Sequence, residues 1–221
     1  MSCWFKITIF VLMTWVIIAA FVFPAPQQSI GDASRIFYFH VPQAWVAVLA
    51  FLMSMITSIR YLKNGDIRED DRSRAAAGLG LLFCLLATIT GSVFAKVTWQ
   101  SFWNWDPRET SIFILLLIYG AYFALRSAID DSEKRGRLAA VYAIFAFLAV
   151  PFLVFVIPRV MPSLHPSDSI VNESGNITMS GTTAMVFFPA LIAFTMVFVW
   201  MYKLTFKVFV KERKVYEELM K

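Results

Sequence analysis

The chain has 221 residues, of which 59% are hydrophobic and 16% charged, with a mean hydropathy of +0.66. A soluble domain of this length would carry nearer a quarter charged residues to clothe its core, so that class is excluded. The net charge of +5 and a pI near 9.3 need no nucleic-acid partner, because the placement of the basic residues follows membrane topology.

Crossing roughly 30 Å of hydrocarbon takes about 20 helical residues. Uncharged runs occur at 7–23, 36–59 (broken only by His40), 75–95, 110–125, 138–157 and 174–202. They predict spans at about 7–23, 41–59, 79–98, 110–126, 138–157 and 182–202, within a single membrane domain, 1–221. The runs are continuously apolar, whereas barrel strands alternate and are about half as long. The expected fold class is therefore all-α: a polytopic integral membrane protein with six transmembrane helices. The first run resembles a signal peptide in having Lys6 before it and Ala19-Ala20 near its end. Its length and the closing Pro24-Ala25-Pro26 favour a retained span.

Lys and Arg near spans are held on the cytoplasmic side. The N-terminal tip, the second and fourth connections and the C-terminal tail hold 16 of the 20; Arg35, Lys96, Arg108 and Arg159 are the rest. The expected orientation is N-in and C-in, with 203–221 a short amphipathic helix at the cytoplasmic surface.

The three outer connections carry the unusual residues. The first, 24–41, ends in Phe39-His40-Val41-Pro42, and Pro42 suits the first turn of a helix, leaving His40 just before it. The third, 96–109, holds three of the seven tryptophans, Trp99, Trp103 and Trp105, with Phe102 and Asn104 among them. If 98–105 were helical, Trp99, Phe102 and Trp103 would share one face. The cluster reads equally as an interfacial aromatic belt or as a ligand platform. Asp106-Pro107-x-Glu109 has the pattern of a capped helix start, so Asp106 is read first as a cap and second as a ligand contact. Arg108 sits at a helix N-terminus, where the dipole disfavours a cation, and so invites an anionic partner.

The fifth connection, 158–181, contains His165-Pro166, and a stretch of this length without obvious structure is usually functional or disordered. The chain's two histidines, His40 and His165, therefore map to one membrane face. Two neutral imidazoles facing one another would suit the axial positions of a haem iron, with the aromatic shelf along the porphyrin. Arg108 or Arg35 could then meet the propionates. The bland alternative is a pair of unrelated surface histidines. Cys3 and Cys84 form neither Cys-x-x-Cys nor Cys-x-x-Cys-His. No P-loop, nucleophile elbow or zinc-protease motif is present, and no charged residue sits mid-span.

Trp-Gln-Ser-Phe-Trp-Asn-Trp-Asp-Pro-Arg-Glu-Thr at 99–110 resembles the tryptophan-rich signature, approximately W-G-x-x-W-x-W-D, of the haem-handling proteins of cytochrome c maturation. His40 and His165 in the adjacent outer loops extend the resemblance over essentially the whole chain. Larger members carry a further histidine pair, and this chain has none to spare, so it looks like a CcmC-type haem exporter protein C. The resemblance implies haem b bound without a covalent link, on the periplasmic face of the bacterial plasma (inner) membrane. It implies His40 and His165 as axial iron ligands and Trp99, Trp103, Trp105 and Asp106 as the haem and chaperone platform. It further implies delivery to a membrane-anchored haem chaperone, an ABC-type ATPase with its membrane subunits as partners, and binding rather than enzymatic bond chemistry. Two departures stand out: Gln100 replaces the signature's Gly, and Pro107-Arg108-Glu109-Thr110 reads like the cytochrome c synthase branch. The alternatives are thus the haem-presenting part of such a synthase or, from another class, a b-type cytochrome redox subunit. The latter would place its histidines within the spans.

Overall fold

The computed structural model describes residues 2–27, 29–165 and 178–219. The regular structure among the described residues is entirely helical, with six helices long and apolar enough to cross a membrane. In chain order the elements are α1 (Cys3–Val22), a 3-10 turn (Gly31–Ile36), α2 (Phe37–Asn64), α3 (Ile67–Trp99), α4 (Pro107–Ser127) and α5 (Ser132–Pro151). A π turn (Phe152–Val156) and the short α6 (Ile157–Val160) prolong α5, and α7 (Gly181–Leu219) closes the chain. Pro151 and Pro158 bracket the π turn, where a missing N–H and ring bulk disturb the regular ladder.

Local chemistry sets the helix ends. Gly65 at φ +70° ends α2, and the Asp66 carboxylate accepts the Arg68 N–H to start α3. Helix α2 begins at Phe37, earlier than Pro42 suggested, so His40 lies inside the helix rather than before it. The 3-10 turn runs directly into α2, and a proline this near the N-terminus removes a single intrahelical bond.

Helices α2, α3, α5 and α7 form the centre of the bundle, while α1 packs mainly on α7. In lipid no hydrophobic drive joins helices, so close approach of small residues matters. Ala75, Ala76, Ala77 and Gly80 of α3 supply it. A Cβ on Gly80 would lie 2.4 Å from the Phe51 ring, which itself stacks on Tyr119 with centroids 3.5 Å apart.

The end of the bundle opposite the tryptophans holds a buried charge network that the sequence did not announce. Arg126 of α4 grips Asp70 of α3 with two bonds of 2.7 and 2.8 Å, both side chains nearly inaccessible. Ser73 hydrogen-bonds Ser54 and Ser58 beside them. Arg213 of α7 reaches Asp71 at 2.7 Å, and Arg74 lies over the Phe209 ring. Residues 203–219 are thus the continuation of α7 packed on α3, not a separate surface helix; that expectation is corrected.

Removing one member of a buried pair strands the other charge and costs about 3–5 kcal/mol, whereas replacing both with apolar residues can be near neutral. Arg126→Met should lower the unfolding temperature in detergent sharply, and the double variant Asp70→Leu/Arg126→Met should recover most of the loss. Equal destabilisation by single and double variants would show that the pair is not the source of the effect.

Candidate haem-binding site

The alternation of helices places residues 23–36, 100–106 and 161–165 at one end of the bundle, with both histidines beside them. Helix α3 stops at Trp99 because Gln100 adopts φ +62°, and the Ser101 hydroxyl then donates to the Trp103 carbonyl at 2.9 Å. The condition of a helix over 98–105 is not met. Trp99 and Trp103 therefore share no helical face: Trp99 meets His165 edge-on at 4.7 Å, while Trp103 and Trp105 group with Phe113. The shelf is two patches, and Trp105 (68% exposed) and Phe102 (59%, with Lys96 over its ring) lie largely open.

The left-handed backbone at Gln100 explains why glycine is usual in the signature at this position, since only glycine adopts it without steric cost. Gln100→Gly should raise stability by about 1 kcal/mol at most and leave α3 ending at the same residue. A drop in unfolding temperature would mean the Gln side chain makes a compensating contact.

Asp106 caps α4, accepting the Arg108 N–H at 2.9 Å, while Glu109 reaches back to the N–H groups of Asn104 (2.7 Å) and Asp106 (3.3 Å). The cap reading is correct but incomplete. The Asp106 carboxylate also accepts the Leu164 N–H at 2.7 Å, the Ser163 hydroxyl at 2.9 Å and Nδ1–H of His165 at 3.0 Å. One buried carboxylate thus ties the chain at 163–165 to the start of α4. Burial alone would raise the Asp106 pKa, but the bonds from Arg108, Leu164 and Ser163 outweigh it, and the group stays ionised. Burial lowers the His165 pKa, with Asp106 opposing and Arg108 assisting, so its imidazole is neutral near pH 7. With Nδ1–H given to Asp106, Nε2 of His165 carries a free lone pair.

His40, half-buried on α2, meets Thr90 of α3 through Nδ1 at 3.0 Å. His40 and His165 are near enough for the charge of one to act on the other, and Arg108 is near both. Arg108 has a buried Nε without a hydrogen-bond partner among the described residues, consistent with a cation awaiting an anion. Arg35 is otherwise engaged: its guanidinium donates to the Ala20 and Phe23 carbonyls and to Asp32, closing the end of α1. Its suggested role with propionates is therefore set aside. Pro166 and half of the 158–181 connection, residues 166–177, fall outside the described residues. Thr90 and Ser163 were missed by the sequence reading, since neither belongs to a motif and both act through space.

Two imidazoles are too few to hold a bare metal ion, and among the described residues no group of three His, Cys, Asp or Glu side chains converges on one point. A metal that brings four equatorial ligands of its own needs just two from the protein.

Comparison with known proteins points the same way. A family model described as Heme exporter protein C matches residues 1–221. Heme exporter protein C of Bradyrhizobium diazoefficiens is 31% identical over 169 residues, covering 76% of this chain and 64% of that protein. The Escherichia coli K12 protein of the same name is 30% identical over 179 residues, 77% of this chain and 69% of that protein. A putative cytochrome c biosynthesis ccmC-like mitochondrial protein of Marchantia polymorpha is 29% identical over 178 residues, 80% and 72% respectively. The chain thus spans somewhat under two thirds of the length of the Bradyrhizobium relative. With the family model matched from end to end and the tryptophan segment in place, the chain belongs to the heme exporter protein C (CcmC) family.

Proposed function

We propose that this protein binds haem b non-covalently at the tryptophan end of its helix bundle and delivers it for c-type cytochrome assembly. The observation that carries the reading is the pair of histidines at one bundle end, each with Nδ1 engaged by an acceptor. Each Nε2 is then left to ligate. His40 and His165 are the axial ligands, Trp99 lines the site beside His165, and Arg108 meets a propionate. The exposed Trp105 and the neighbouring Trp103 form the surface on which a membrane-anchored haem chaperone receives the cargo. An ABC-type ATPase and its membrane subunits drive release of the loaded chaperone. The protein binds and hands over; it carries out no bond chemistry on the porphyrin. Cys84 is buried in the bundle and Cys3 sits at the opposite end, so no thiol is placed for covalent attachment.

The distribution of 16 basic residues against four supports N-in and C-in orientation in the bacterial inner membrane. The haem site then faces the periplasm.

An anchoring ring matters for insertion, whereas a ring that touches cargo or chaperone matters for transfer. Trp103→Ala and Trp105→Ala should leave membrane levels near normal, keep haem bound to the protein, and reduce its passage to a co-expressed chaperone by about tenfold, the effect of roughly 1.4 kcal/mol per exposed aromatic contact. Disappearance of both variants from the membrane fraction would return these rings to the aromatic belt.

A further inference from the structure

The two histidines rest on unlike acceptors. Nδ1 of His165 donates to a buried carboxylate, Asp106. Nδ1 of His40 meets a neutral hydroxyl, Thr90, whose own proton points elsewhere: Thr90 Oγ1 lies 2.8 Å from the Leu86 carbonyl and 3.1 Å from that of Ala87. With its proton committed to the preceding turn of α3, the Thr90 oxygen can only accept from His40. That fixes the imidazole in the Nδ1–H form and leaves Nε2 bare. The next residue, Gly91, lies under the ring: a Cβ there would sit 3.0 Å from Cε1 and 3.6 Å from Nδ1 of His40. Thr90 and Gly91 together make a seat, Thr90 with the neighbouring Ala87 carbonyl setting the tautomer and Gly91 making room for the ring.

A carboxylate partner strengthens the hydrogen bond roughly twofold over a neutral acceptor and raises the basicity of the opposite ring nitrogen. We infer that Thr90 and Gly91 are positioning residues that make His40 the weaker of two axial donors, so haem leaves from the His40 side while His165, backed by Asp106, still holds it. The seat stands on the geometry of the chain alone; the order of release rests on the haem reading given above. It provides a direction to the hand-over. The ligand on the rigid seat between α2 and α3 yields first, and the one fastened to the tryptophan-bearing segment yields last.

Both halves can be measured on the full chain in detergent. With two histidines in the protein, 15N-histidine labelling resolves both rings without haem. The expected result is Nδ1–H at His40, lost in Thr90→Val and kept in Thr90→Ser, with His165 unchanged in both. A His40 ring in the Nε2–H form, or a Thr90→Val spectrum identical to the parent, would overturn the seat. After loading with haem, transfer to excess apomyoglobin reads retention. Thr90→Val and Gly91→Ala should lose haem about tenfold faster than the parent, the lower end of what a lost partner of a ligating histidine costs. Thr90→Ser should stay near the parent. His165→Gly should lose haem faster than His40→Gly; equal or reversed rates would overturn the order of release while leaving the seat intact. A parent chain that takes up no haem would remove the release order together with the haem reading, and the labelling result would still decide the seat.

Discussion

His40→Gly and His165→Gly should each reduce haem retention by at least about tenfold, since removing even a supporting partner of a ligating histidine costs that much. Each substitution leaves a hole of imidazole size, and added imidazole should refill it and restore part of the low-spin spectrum. The bundle itself should survive. His40 rests on Thr90, His165 on Asp106 and Trp99, and neither ring belongs to the aromatic and alanine core formed around Phe51, Ala76, Tyr119 and Val150. Absorption spectra of the purified variants, with and without imidazole, check the expectation. Unchanged spectra in both variants would remove the axial assignment and leave the aromatic rings to hold haem alone.

Asp106 separates capping from ligand support when two substitutions are compared. Asp106→Ala removes the α4 cap, at about 0.5–2 kcal/mol, together with the anchor for Ser163, Leu164 and His165. Asp106→Asn keeps a good cap but replaces the carboxylate behind His165 by a neutral amide. The alanine variant should lose both thermal stability and haem affinity, and the asparagine variant should lose mainly affinity, by about tenfold or more. pH adds a signature. His165 has its pKa below the ordinary 6.5, and Asp106 is held below its ordinary 3.8. The ligating state, neutral imidazole on ionised carboxylate, is therefore fully present at pH 7 and persists below pH 6.5 before acid removes it. In Asp106→Asn the partner that favours the protonated ring is gone, so ring protonation moves to still lower pH even as affinity falls. Titration of the 15N-histidine signals without haem reads ring protonation, while the bound-haem spectrum and thermal unfolding read affinity and stability. An asparagine variant with parental affinity would reduce Asp106 to a cap.

The six spans were legible because each apolar run approaches or exceeds the roughly 20 residues a bilayer demands, a signal that survives any detail of packing. Helix starts were less so. Pro42 fits a first turn so well that it masked the earlier start at Phe37, which the preceding 3-10 turn provides. The tryptophan segment showed the converse: its ring spacing allowed a shared helical face, and left-handed backbone at Gln100 and Trp105 rules it out. Glycine in the related signature pointed to that conformation, but a glutamine does not announce it. The capping pattern at Asp106 was readable from local spacing alone, whereas its bond to His165 spans 59 positions and has no local trace. The same holds for Asp70 and Arg126, 56 positions apart, and for Thr90 under His40. Sequence thus nominated the candidate side chains; the polar partners that orient them required the fold.

Resonance Raman and absorption spectra of the haem-loaded parent protein test the central claim most directly, since iron coordination is read from the cargo itself. The account predicts six-coordinate, low-spin iron with two nitrogen ligands. A five-coordinate, high-spin spectrum in the parent, unaffected by replacing either histidine, would contradict it.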